Sequence, residues 1–187
     1  MSLTLSGISN GKLNNLSLSS STGNILDDKN TTFFGADQFR LTTSITGTNA
    51  DIASNLERID HSGAGSIGTG MTESSGIFTF PNTGIWLVVC ENSTYFGSVI
   101  DASATIATFL TVDNSSYNKV TEATNGSGLS SQPHRGNATS LLLVDVTDVS
   151  LVKVKFVTQS LVSSSVTIDG NTDENRTCFS FIRLGDT

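Results

Sequence analysis

Charge is scarce in this chain: only 14% of its 187 residues are Asp, Glu, Lys or Arg, and the balance is acidic, with 10 basic against 17 acidic side chains and a net charge of −7. Phosphate backbones are held by clustered Lys and Arg, so this composition argues against a nucleic-acid partner. Long apolar runs are absent too. None approaches the ~18 residues of a membrane-spanning helix, and the N-terminus lacks the basic-then-apolar order of a secretory signal. No membrane span and no conventional secretory route are expected. Cysteine is limited to Cys90 and Cys178, too few for a disulfide scaffold and without companions at zinc-ligand spacing. They read as two small buried hydrophobes, with a disulfide as the alternative.

Catalytic residue sets are equally sparse. The two histidines, His61 and His134, sit among loop residues, and no nucleophile-elbow sequence singles out one of the many serines, so a hydrolytic triad has no support. Gly63-Ala64-Gly65-Ser66-Ile67-Gly68 has dinucleotide-binding spacing. That motif needs a strand before it and a helix after it, and strand residues follow here, so a flexible glycine loop is the better reading. Asp169-Gly170-Asn171-Thr172-Asp173-Glu174 places oxygens at alternate positions, as a calcium loop does, yet Glu174 stands where that loop bends through glycine. A hairpin turn between 166–168 and 177–182 is preferred, and Asp145 with Asp148 is a weaker cation candidate. Asn-X-Ser/Thr sites at Asn15, Asn30, Asn92, Asn114, Asn125, Asn137 and Asn175 follow from a composition rich in Asn, Ser and Thr. The chain is therefore expected to be no enzyme and to hold neither cofactor nor metal.

What is present is β-structure. In Gly76-Ile77-Phe78-Thr79-Phe80-Pro81-Asn82-Thr83-Gly84-Ile85-Trp86-Leu87-Val88-Val89-Cys90, two extended runs meet at a Pro/Gly corner. Pro81 cannot donate to a ladder and closes the first run; Gly84 opens the second. Strands are expected at 39–45, 55–59, 77–80, 85–92, 105–112, 119–123, 140–146, 152–159, 161–168 and 177–184, with turn-rich pieces at 61–72, 125–137 and 169–175. Ile52, Leu56 and Ile59 repeat at helical spacing, which leaves one short helix open. Ten short strands with Gly, Asn and Asp punctuation call for a sandwich, and 36% hydrophobic content supports one core rather than two. The surface is then mostly neutral hydroxyls and amides, as on an extracellular or virion β-protein.

Residues 1–37 differ from the rest, with aliphatics spaced among Ser, Asn, Gly and Thr and too little continuous apolar surface for a core. They read as an extended N-terminal arm before a head at 38–187, with Leu3, Leu5, Leu13, Leu16 and Leu18 as docking contacts that pair at the edge of a partner surface.

Three stretches carry a resemblance: Gly76 to Trp86; Ser140-Leu141-Leu142-Leu143-Val144-Asp145-Val146 running on to Phe156; and Cys178-Phe179-Ser180-Phe181-Ile182-Arg183-Leu184. In this order they resemble the trimeric jelly-roll family of tumour necrosis factor and the globular heads of complement component one's q subcomponent. Phe39-Arg40-Leu41-Thr42-Thr43-Ser44, the 52–59 segment and Gly68 to Pro81 are similar to phrases in virion proteins of marine cyanophages. The animal heads follow the turn glycine with several aromatics, whereas this chain has one, Trp86, and it has no collagen repeat. The resemblance implies an all-β, ten-stranded jelly-roll sandwich that forms a homotrimer, with Phe78, Phe80, Trp86, Phe156, Phe179 and Phe181 making its core and threefold contact. It further implies a non-enzymatic phage structural protein, assembled in the host cytoplasm. Its arm would join it to the major capsid protein or another virion protein, decorating or cementing the capsid or an appendage. The alternative is a receptor- or glycan-binding module that recognises a host surface.

Overall fold

The computed structural model describes residues 35–187, and every regular element there is a strand. The arm contacts proposed at Leu3, Leu5, Leu13, Leu16 and Leu18 lie outside the described residues. Twelve strands run in chain order: β1 Gly35–Leu41, β2 Ile45–Thr46, β3 Leu56–Arg58, β4 Thr72–Ser74, β5 Ile77–Thr79, β6 Gly84–Phe96, β7 Asp101–Thr111, β8 Asn118–Ser127, β9 His134–Val146, β10 Lys153–Gln159, β11 Val166–Ile168 and β12 Cys178–Gly185. They form two antiparallel sheets. In the first, β6 is paired along one side by β9 and along the other by β11 and β12 in line, with β2, β1 and β3 beyond. The second runs β4-β5-β10-β7-β8.

Alternation explains the strands. Along β6 the even-numbered residues from Gly84 to Phe96 are buried and the odd-numbered ones are not, the period of a pleated strand with one face on a core. Gly84 has φ +128, and a Cβ there would strike the Gly185 carbonyl and the Arg183 guanidinium, so the corner after Pro81 does require glycine. The turn between β4 and β5 is Ser75-Gly76, both at positive φ, with Ser74 opposite Ile77. This is the two-residue hairpin whose twist matches the strands it joins. Strand β4 was not expected from sequence because Thr72-Glu73-Ser74 carries no apolar residue.

Other elements differ from the sequence reading in ways that have physical causes. The segment around Ile52, Leu56 and Ile59 is extended: the Ile52 amide donates to the Phe156 carbonyl, that of Thr42 to Asn55 and that of Ile59 to Gln38, while Asn55 sits at φ 60. Strand β1 begins at Gly35, so Gly35, Ala36 and Asp37 pair with β12; a Cβ on Gly35 would press on the Trp86 ring at 3.1 Å. Of the expected 161–168 strand only β11 is a strand. Much of the supposed turn region 125–137 is strand, because its polar inward side chains find partners across the sandwich. Asn125 Nδ2 donates to the Asn92 carbonyl and to Thr94 Oγ1, each at 3.0 Å, and Asn92 Nδ2 donates to the Ala123 carbonyl at 2.9 Å. Buried amides with partners cost little; without them each would cost about 1–3 kcal/mol.

The core lies between the sheets. Phe78 meets Phe39 edge-on at 5.1 Å and Phe181 at 5.0 Å; Phe156 stacks on Phe179 at 4.0 Å; and Phe80 leans on Trp86 at 5.4 Å. The six aromatics expected to make both core and threefold contact are each at most 1% exposed within one chain. They are therefore core only, since the opposite sheet already covers them and no surface is left for a second copy.

Candidate assembly interface

The outer face of the first sheet is the least ordinary surface on the molecule. Because side chains alternate, the residues of β6 and β9 that do not enter the core project outward together, and the register fixes which ones meet. One row crosses four strands as Ala36, Ile182, Leu87 and Leu143; the next crosses as Gln38, Ser180, Val89 and Leu141. Ile85 and Leu184 extend the apolar patch toward the end where β1 begins. Leu141 and Leu143 are each more than 60% exposed and Leu184 51%. A contiguous aliphatic patch over several strands marks an interaction surface. Along its length β9 pairs only with β6 among the described strands, so it also offers an open backbone edge.

The patch has a polar boundary. Toward the middle of β6 it gives way to Glu91, Ser93, Asn137 and Thr139, which with Asn175 and Arg176 line a groove of about 370 Å³. The wall of that groove is the 169–177 excursion. The hairpin expected there does not exist: β11 and β12 both pair with β6 and lie end to end, so the intervening residues loop out of one interrupted track. Their oxygens are engaged internally. Asn171 Oδ1 accepts from the amides of Asp173 and Glu174, while the buried Asp169 is ion-paired with Arg135 and accepts from the Ser93 hydroxyl at 3.4 Å.

Cys178 lies beside this boundary, its thiol donating to Glu91 Oε2 at 2.9 Å; burial, then that hydrogen bond, pushes the thiol pKa well up. Cys90 belongs to the inner face, and burial pushes its thiol up as well. Both are free: Cys178 is opposite Glu91 and Phe179 opposite Cys90, so neighbouring pleats send the two sulfurs to opposite faces.

The remaining sequence candidates are dispersed. His61 accepts from the Gly63 amide at 3.2 Å, and His134 stacks on Phe96 at 5.1 Å. The 63–68 glycine loop pairs through Ile67 with Ala36. Asp148 accepts from the Ser150 amide and hydroxyl, which hold its carboxyl below the usual range. Among the described residues no three His, Cys, Asp or Glu side chains gather as a metal site, and no helix is long and apolar enough to cross a membrane.

The patch residues Leu87, Leu141, Leu143, Ile182 and Leu184 were not singled out from sequence. A signal was there: Leu141-Leu142-Leu143-Val144 and Ile85 to Val89 are apolar on both strand faces, the pattern of strands covered twice.

No protein-family model matches the chain, and no curated protein matches it. Solved structures do. Murine APRIL at pH 5.0 superposes with a TM-score of 0.54 at 10% identity, and murine APRIL at pH 8.5 with 0.52 at 9%; each comparison covers 81% of this chain and 99% of that chain. The fold is a jelly roll of the tumour necrosis factor type.

Proposed function

We propose that the chain is a non-enzymatic virion structural protein: a homotrimeric knob that decorates or cements a capsid or an appendage, attached through the N-terminal arm that precedes β1. The observation that carries this reading is the aliphatic outer face of β6, β9 and β12. It is apolar enough to be covered in use, and it leaves few charges to desolvate when a copy of the same chain covers it. Closed threefold symmetry buries such a face on every protomer and leaves no open end for further growth. The likeness to phage virion phrases and the uncharged, hydroxyl-rich surface support a virion setting, with the major capsid protein or another virion protein as partner.

Light scattering on the full chain tests it. A particle about three times the 19.6 kDa chain mass is expected, and the Leu141→Asp/Leu143→Asp variant should be monomeric with its β spectrum intact. A monomeric parent protein would overturn the assembly. Deleting 1–34 should leave a trimeric head that no longer joins particles; full occupancy by the truncated head would move attachment to the jelly roll itself.

A further inference from the structure

The end of the sandwich opposite Gly35 is built differently from the rest of the surface. Gly35 is level with Arg183, Trp86 and Val144. At the other end β6 finishes opposite His134, and β7 begins opposite Ser127. Four loops close this far end: 47–50, 97–100, 128–133 and 160–165. None of their residues is Asp, Glu, Lys or Arg, although at the chain average of 14% charged residues they would hold a few. Three of the loops present an exposed aliphatic side chain: Ile100, Leu129 and Val162, each 54–63% exposed.

These three positions are anchored to one point. Asp101, next to Ile100, is 1% exposed and accepts from the Val162 amide at 3.1 Å and the Ser103 amide at 2.9 Å. Ser127, the register partner of Asp101, accepts from the Leu129 amide through its hydroxyl at 3.2 Å. The fourth loop joins through Asn49, whose side chain accepts from the Leu161 amide at 2.9 Å and donates to the Leu161 carbonyl at 3.3 Å. The Leu129, Leu161 and Val162 amides are thus satisfied inward, Val162 by the buried Asp101 carboxylate and Leu129 by the Ser127 hydroxyl beside it.

We propose that this end is a contact surface for a neutral lipid bilayer, entered by Ile100, Leu129 and Val162. The chemistry of the end favours that occupant over others. An anionic ligand has no Lys or Arg to meet in these loops, and a cationic one no carboxylate. None of the four loops carries a Phe, Trp or Tyr for a sugar to stack on. Aliphatic tips among hydroxyls and amides carry no ion into the headgroup layer, and their gain is the apolar area they withdraw from water. The inference does not depend on the threefold assembly, which uses another face.

Flotation of the full chain with phosphatidylcholine vesicles tests it. The protein should float with the vesicles, equally at low and high salt, and phosphatidylglycerol vesicles at low salt should bind less because the chain carries −7. Ile100→Ser/Leu129→Ser/Val162→Ser should lower partitioning by at least about tenfold while melting as the parent does. Val112→Ser/Leu151→Ser, exposed aliphatics at the Gly35 end, should leave it unchanged. Failure to float, binding confined to anionic vesicles, or equal flotation of the triple variant would each overturn the proposal. The last two would point to an electrostatic contact and to a surface elsewhere on the head. A protein partner would be indicated instead if the triple serine change abolished particle-to-host adhesion while vesicles never bound.

Discussion

The two sheets contribute alike to the core, yet their outer faces differ. On the first, Leu87, Val89, Leu141, Leu143 and Ile182 lie side by side across three strands. On the second, the outward positions of β7, β8 and β10 carry Thr105, Thr124, Glu122, Lys153, Lys155 and Gln159 beside Ala107, Phe109 and Val157. Thr105 and Thr124 bond each other at 2.8 Å. Lys155 is ion-paired with Asp51 at 2.7 Å and stands 4.9 Å from the Tyr117 ring and 5.9 Å from the Phe109 ring. The second face pairs these threonines and its lysine within itself; the first leaves aliphatic area uncovered. Burial inside therefore says little about assembly, whereas the outward half of each strand's alternation decides it.

The strongest perturbation removes what the sheets share. Phe156 on β10 stacks on Phe179 of β12, so Phe156→Ala should cost about 3–5 kcal/mol and lower the melting temperature of both sheets in one cooperative step. Separate transitions would show that the sheets are not one unit.

The contrast itself is broken by charge. Leu141→Asp/Leu143→Asp should convert the assembly to monomers, because both side chains are exposed in one chain and the change touches contacts between copies, not the core. The matched change on the second sheet, Thr124→Asp/Gln159→Asp, at outward positions that are not buried, should leave the mass unaltered. If both pairs dissociate the particle, the second face also takes part.

Acid offers a finer probe. In the β7–β8 loop of the second sheet the Asp113 carboxyl accepts from the Ser116 and Ser115 amides and the Thr111 hydroxyl, which hold it down to about 2 from 3.8. Its folded pKa lies below the unfolded one, so the stability it contributes is full above about pH 4 and lost as pH falls toward about 2. Asp113→Asn, which keeps an acceptor but cannot titrate, should flatten that part of the acid limb in denaturant titrations. An unchanged limb would move the effect to other carboxylates.

The smallest expected effect is that of reductant. With the two sulfurs on opposite faces, dithiothreitol should not move the melting temperature, and Cys90→Ala/Cys178→Ala should cost on the order of 1–3 kcal/mol. A large drop on reduction would place a disulfide where the register forbids one.

Much of this architecture is legible in the residues. The Pro81 to Gly84 corner, the flanking runs and the closing Cys178 to Leu184 strand appear as expected, because each rests on local chemistry: a missing donor, a positive φ, an alternating face. What was not legible depends on pairing at a distance. Asn125 looks like a turn residue until Asn92 and Thr94 stand across from it. Val166 and Cys178 look like two arms of a hairpin until β6 takes both. The candidate interface was hidden for the same reason, since Leu141 and Leu143 become a surface only when their register sets them beside Val89 and Leu87.

The end-to-end placement of β11 and β12 along β6 also makes the 169–177 excursion separable from the ladder. Its two feet are pinned, by the Asp169 amide on the Ser93 carbonyl at 2.8 Å and by the Leu41 amide on the Thr177 carbonyl at 3.0 Å, while Asp173 and Glu174 between them are exposed. Chain length inserted at its crest adds only a loop-closure cost that grows slowly with length and shifts no strand against another. The head therefore has a grafting port, at which a foreign epitope could be displayed on the rim of the assembly face; a glycine-serine insert between Asp173 and Glu174 should melt close to the parent, and a collapse in stability would show that the crest is part of the ladder after all.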